Sequence, residues 1–175
     1  MRRRNTAEGF TLIELLIVIA IIGIIAAIAI PGLLRARSAG NESSAIGSMR
    51  SINSGQATYS AAAASGGFAV LLPTLAVPCP GGTVPFLSPD LTSGVLVFKS
   101  GYNVNLRGNG GVAGPNDCNN TPTQVTYYAS AVPALPGVSG HRGFATNQSA
   151  TVWQDTSGVA PIEPFAIAGT ASPIR

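Results

Sequence analysis

The chain has 175 residues, enough for one compact domain and one further element but too few for two ordinary domains. Hydrophobic residues make up 46%, an ordinary share, whereas charged residues make up only 10% where about 25% is usual. The deficit is local: residues 10 to 34 hold 20 apolar residues in 25 positions, nine of them Ile, with Glu14 the only charge, which excludes both a uniformly soluble protein and a polytopic membrane protein. The net charge of +3 is local too, because removing residues 1 to 9 would take away three Arg and one Glu and leave +1. No basic stripe remains, so the composition argues against a nucleic-acid partner.

In chain order, Arg2, Arg3 and Arg4 form a basic start, and Asn5 to Gly9 separate it from the apolar run. A secretory signal would end in a small-residue cleavage site after a short apolar stretch. Here the apolar run continues from Phe10 to Ile30 with no such site behind it. Residues 15 to 34 form an uncharged helix of about 30 Å, long enough to span a bilayer. The basic start places the N-terminus in the cytoplasm and the remainder outside. Glu14 is the anomaly, since a carboxylate in such a helix costs roughly 2.5–3.5 kcal/mol at mid-bilayer. It calls for a positive partner within an assembly.

The residues Gly9-Phe10-Thr11-Leu12-Ile13-Glu14-Leu15, preceded by the basic leader and followed by the apolar helix to Pro31, resemble the class III signal of type IV pilins and type II secretion pseudopilins. The resemblance implies cleavage after Gly9 by a membrane prepilin peptidase and methylation of the new amino group of Phe10. Glu14 would then be the fifth residue of the mature chain, free to pair with the Phe10 amine of a neighbouring subunit. Glu8 departs from the family, which more often carries a basic residue before the cleavage site. Gly23 and Pro31 are poor helix residues, and the family implies that the helix kinks or melts between them in the filament. Ala20, Gly23 and Ala27 form a small-residue stripe suited to close helix approach.

Beyond Pro31 the pattern turns amphipathic. Ala45, Met49, Ile52, Gln56, Tyr59 and Ala63 recur at alternating four- and three-residue spacing, with Arg35, Arg37, Glu42 and Arg50 read as lying mostly elsewhere around the helix. Gly40, Gly47 and Gly55 weaken this half, so packing must stabilise it, and Ser65-Gly66-Gly67 ends it. From residue 66 onward, 15 Gly and 12 Pro favour short strands joined by turns. Residues 68–76 and 78–89 read as a connecting loop. Leu96 to Phe98 followed by Gly101 to Leu106 reads as the first strand, residues 125–132 as the second, 143–146 as the third and 151–154 as the fourth. The tail from Val159 reads as extended and loosely held.

The expected fold is therefore α+β: a long N-terminal helix, half transmembrane and half amphipathic, packed on a small antiparallel sheet head, as in pilins. The expected division is a leader at 1–9, a transmembrane and filament-core helix at 10–34, an amphipathic half at 35–65 and an exported head at 66–175. Catalytic chemistry is thin, with one histidine, His141, in a Gly-flanked turn and no paired carboxylates, so no enzyme activity, cofactor or metal is expected. The loop Asn116 to Asn120 carries oxygen donors but a single acid and no EF-hand pattern. Cys79 and Cys118 are candidates for one disulfide, worth roughly 3–4 kcal/mol in an exported domain. Their positions differ from pilins whose disulfide closes a loop near the C-terminus.

The resemblance implies a structural subunit that polymerises into a type IV pilus-like homo-oligomeric helical filament, of the kind that serves adhesion and motility. Its expected partners are the prepilin peptidase, an inner-membrane assembly platform and, before assembly, membrane lipid. Its expected place is the bacterial inner membrane in a single pass and then an extracellular pilus. The alternatives are a pseudopilin in the periplasmic pseudopilus of type II secretion and, less favoured, a minor pilin that binds DNA in uptake.

Overall fold

The structure, a computed structural model, describes residues 9–167 and 169–174. The basic leader Arg2 to Arg4 and Glu8 lie outside the described residues. The architecture is α+β and pilin-like, a long N-terminal helix α1 (Leu12–Ala62) and a six-stranded antiparallel sheet. The chain divides into two compact units that meet between Ala36 and Arg37.

In the first unit α1 is apolar on all sides. It contains an 18-residue stretch of mean hydropathy 3.1, none of it buried, long and apolar enough to cross a membrane. Ala20, Gly23 and Ala27 are exposed, and Pro31 lies inside the continuous helix.

In the second unit α1 buries one stripe. Ala45, Met49, Ile52, Gln56, Tyr59 and Ala63 are all buried, as their spacing requires. The stripe extends further toward the N-terminus than the apolar residues do, because Ser38 and Glu42 are buried on it as well. Glu42 therefore does not lie on the polar side of the helix where its charge would place it. The helix ends where Ser65 and Gly66 turn left-handed, at φ 47° and 98°, and the N–H of Gly66 returns to the carbonyl of Ser60 at 2.9 Å. The N–H of Cys118 meets the Ala63 carbonyl at 2.8 Å, satisfying one of the groups a helix end leaves open.

A short 3-10 turn (Leu72–Ala76) and a one-turn helix α2 (Pro89–Thr92) precede the sheet. The strands are β1 (Leu96–Lys99), β2 (Tyr102–Gly108), β3 (Tyr127–Pro133), β4 (Gly143–Asn147), β5 (Trp153–Asp155) and β6 (Ala171–Pro173), hydrogen-bonded in chain order. The segment expected as one first strand is a hairpin. Lys99 pairs with Tyr102, and Ser100 and Gly101 both take positive φ, 48° and 75°, which is the backbone of the tight turn that matches strand twist. The tail is not loose either: Ala171–Pro173 forms the sixth strand on β5, and the Ile174 N–H donates to the Val152 carbonyl at 2.8 Å.

Strand alternation puts Tyr102, Val104 and Leu106 of β2 on the face toward α1, with Tyr127, Ala129 and Ala131 of β3 and Phe144 of β4. Register aligns Val97, Val104, Ala131 and Phe144 in one row across four strands. The small Ala129 and Ala131 sit in the centre and admit the larger Met49, Ile52 and Tyr59 from the helix, all in one buried cluster.

Gly55 is one helical glycine with a packing reason, since a Cβ there would meet the Phe86 carbonyl oxygen at 2.8 Å, whereas one at Gly47 would meet nothing within 4 Å. Helix propensity alone favours Ala over Gly by about 1 kcal/mol at either position. Gly47→Ala should therefore raise the unfolding midpoint of the purified chain and Gly55→Ala should lower it, as read by thermal denaturation followed by circular dichroism.

Candidate functional site

The first candidate site is the start of α1. Gly9 and Phe10 are exposed ahead of the helix, Phe10 at 85%. Thr11 stands at the N-cap and Glu14 three residues on. The Thr11 N–H donates to Glu14 Oε2 at 2.9 Å, and the Thr11 hydroxyl donates to the same oxygen at 2.6 Å. The Glu14 N–H in turn donates to Thr11 Oγ1 at 3.3 Å. This is a capping box, which satisfies orphan donors at the helix start in both directions. The charge at Glu14 is thereby placed at the positive end of the helix dipole. Its second oxygen, Oε1, accepts no hydrogen bond among the described residues. The sequence signal was present as Thr-x-x-Glu before an apolar run and escaped the reading of Glu14 as an isolated charge.

Of the other residues singled out, Gly23 and Pro31 lie within α1, and a Cβ at Gly23 would meet nothing within 4 Å. Cys79 and Cys118 are joined in a disulfide. It ties the loop before α2 to the loop after β2, where the Asn119 amide also donates to the Pro78 carbonyl at 3.2 Å. His141 is exposed and contributes only its backbone, the N–H donating to Glu42 Oε1 at 2.8 Å. Asp117 faces inward, accepting from the Tyr59 hydroxyl at 2.8 Å and from the N–H groups of Asn119 and Thr121 at 2.9 and 2.6 Å. Its loop thus spends its single acid on the fold. Among the described residues no group of three or more His, Cys, Asp or Glu is placed to hold a metal ion.

Sequence reasoning also missed an ion pair of the second unit, the one formed by Glu42 and Arg142. Glu42 Oε2 accepts from Arg142 Nε at 2.8 Å and lies 2.7 Å from Nη2, while Oε1 accepts from the N–H groups of His141 and Arg142 at 2.8 and 3.2 Å. Arg142 Nη1 continues to Gln154 Oε1 at 2.7 Å, so α1, β5 and the approach to β4 share one network. Burial pushes the Glu42 carboxyl up, but the hydrogen bonds from His141 and Arg142 and the guanidinium charge outweigh it and hold the group below its ordinary 4.5. Burial raises the hydroxyls of Tyr59, Tyr102 and Tyr127 well above the usual tyrosine range, with Asp117 adding to the rise at Tyr59 and the charge of Glu42 at Tyr102. These tyrosines act as hydrogen-bond donors, to Asp117, the Arg142 carbonyl and Asn53 respectively.

The helix start and the sheet together define the class: an α+β protein carrying the prokaryotic N-terminal methylation motif, which matches residues 4–30. The N-terminal segment is 68% identical over 38 residues to the type IV wide pilus major component PilA4 of Thermus thermophilus. That match covers 22% of this chain and 29% of the relative, so it spans less than a third of the relative's length. No solved structure matches the chain.

A carboxylate whose folded pKa is depressed stabilises the fold above its unfolded pKa, and that contribution is lost as pH falls through the folded value. Glu42→Gln should cost about 1.5–3 kcal/mol at neutral pH, the scale of hydrogen bonds to a charged group. The difference from wild type should shrink as pH falls below the ordinary carboxylate value of 4.5. Urea denaturation of both chains from neutral pH into that acid range measures it, and a gap independent of pH would assign the cost to shape instead of charge.

Proposed function

We propose that this chain is a prepilin, a structural subunit cleaved after Gly9, methylated on the amine of Phe10 and polymerised into a type IV pilus-like helical filament. The observation that carries the reading is the methylation motif over residues 4–30, lying on a helix start where Gly9 and Phe10 are exposed and Glu14 is held by Thr11. Residues 1–9 serve as the leader, 10–34 as the membrane anchor and then the filament core, and 35–65 as the helix half that carries the head at 66–175. Before assembly the chain crosses the bacterial inner membrane once with its head outside the cytoplasm, in keeping with the unburied apolar stretch of α1. The pilus is preferred over a secretion pseudopilus because the relative that shares this N-terminal segment is named as a pilus component.

Assembly follows from the chemistry of Glu14. Cleavage leaves a positive amine on Phe10, and Oε1 of a neighbour's Glu14 is the acceptor that the capping box leaves open. Removing one partner of such a pair in apolar surroundings costs about 3–5 kcal/mol. Its directionality sets the register between subunits. Gly23 and Pro31 bound the stretch that kinks or unwinds as helices pack side by side, and the small side chains at Ala20 and Ala27 allow that approach.

Mass spectrometry of the main subunit of sheared surface filaments should find the chain beginning at methylated Phe10, and an intact Met1 would overturn processing. Glu14→Gln separates the two roles of the residue, since Gln at that position keeps a capping box but removes the charge. Glu14→Gln and Glu14→Ala chains should both insert in the membrane and both fail to give filaments by electron microscopy. Normal filaments from Glu14→Gln would sink the pairing.

A further inference from the structure

The face of the sheet turned away from α1 carries Arg107 of β2, Tyr128 of β3, Asn147 of β4 and Trp153 of β5, by the same alternation that buries Leu106, Tyr127, Thr146 and Val152. The segment after β5 crosses this face. The Tyr128 hydroxyl donates to the Pro161 carbonyl at 2.7 Å, and the Phe165 ring stacks on Trp153 with centroids 5.5 Å apart and planes 24° from parallel. Between this segment and the strand ends lies an open cavity of about 600 Å3, lined by Trp153, Phe165, Asn109, Asn147, Gln148 and Glu163 among others. The Glu163 carboxylate, one of the lining groups, accepts from the amides of Asn109 and Asn147. Among the described residues no cationic side chain lines it.

We propose that this cavity binds a neutral pyranose sugar. A pyranose has an apolar C–H face and a rim of hydroxyls that each donate and accept. The half-buried stacked rings of Trp153 and Phe165 supply an apolar wall. The Gln148 amide, the second N–H of the Asn109 and Asn147 amides and the remaining lone pairs of Glu163 supply donors and acceptors around it. The volume falls within the roughly 300–1,000 Å3 of small-molecule pockets. An apolar ligand would strip water from the Gln148 amide and from the donors and lone pairs that Asn109, Asn147 and Glu163 do not spend on one another, which is costly. An anionic ligand, including an acidic sugar, would meet Glu163 with no lining cation to offset the repulsion. The inference does not depend on filament assembly, since every residue it uses lies in the second unit.

Trp153 is the only tryptophan of the chain, so its emission reports on the cavity alone. The full chain, held in a detergent without a sugar headgroup, is titrated with glucose and with cello-, malto- and chito-pentaose, by fluorescence and by calorimetry. At least one neutral probe should give a saturable signal with a dissociation constant of about 1 mM or tighter, and an oligogalacturonate should bind at least about tenfold more weakly. Saturation by glucose alone assigns a free sugar and saturation by a pentaose alone assigns a glycan chain, either of which supports the site. Gln148→Ala alters an exposed side chain of the cavity, and it and Phe165→Ala should each weaken binding at least about tenfold by calorimetry. Asp90→Asn, near β1 where Asp90 pairs with Lys99, should leave binding unchanged. No saturable signal with any neutral probe up to about 10 mM, equal binding of the acidic probe, or undiminished binding in both cavity variants would overturn the proposal.

Discussion

The head depends on a row of polar groups carried by one helix stripe. Hydrocarbon contacts between α1 and the sheet are non-directional, and Ala129 and Ala131 offer a smooth strip along which a helix could slide. Glu42, Asn53, Gln56 and Tyr59 remove that freedom. Asn53 accepts from the hydroxyls of Tyr127 and Thr146 at 2.9 and 3.0 Å and donates to the Ala150 carbonyl at 2.9 Å, so one amide joins α1 to β3, β4 and the turn beyond. Gln56 imitates a strand, exchanging bonds with both backbone groups of Ala69 at 2.7 and 2.9 Å. With Glu42 on Arg142 and Tyr59 on Asp117, four turns of helix are each fixed to a different part of the head. Leaving any of these buried groups without its partner would cost more than its bond contributes, so the helix has one favourable register.

How much of this was legible depends on the kind of signal. The apolar run is legible from its length and composition, whereas the six residues from Ala45 to Ala63 follow a helical period, and each of the six is buried. The same four-three spacing carried back from Ala45 reaches Glu42 and Ser38, so phase alone would have put both on the inner side. Charge argued against it, and the charge was answered by Arg142, one hundred residues away in sequence, which no local pattern discloses. The hairpin at Ser100-Gly101 was hidden for a related reason. Ser is an uncommon occupant of a left-handed position, so the turn signal rested on one glycine inside what looked like a continuous strand.

Glu14 shows the opposite case, a local motif overlooked because a long-range explanation was at hand. A charge in an apolar helix draws attention to absent partners, yet Thr11 lies one turn away and takes up one of its two oxygens. The two accounts are complementary. A capping box orients the carboxylate at the helix start, and an oriented acceptor loses less entropy when a further donor arrives. Hence one residue type satisfies the isolated helix and leaves it able to accept a second partner.

The tail illustrates why the outer face of the sheet was the least readable part. Its residues Pro161, Ile162, Glu163, Pro164 and Phe165 have neither helical nor strand period, and composition alone suggested a loose end. What holds them is supplied by the sheet: a hydroxyl from Tyr128 and the ring of Trp153, while just before them Val159 lies so close to Gly143 that a Cβ there would collide with its carbonyl oxygen. Such a face exists only after β3, β4 and β5 have paired in register, so the segment reads its position from tertiary structure. Strand alternation then divides the sheet between two tasks. Odd positions of β3 seat the helix, and even positions present Tyr128 to a covering segment whose Phe165 stacks on Trp153. The same alternation that makes the core possible therefore leaves a cavity on the side the core does not use.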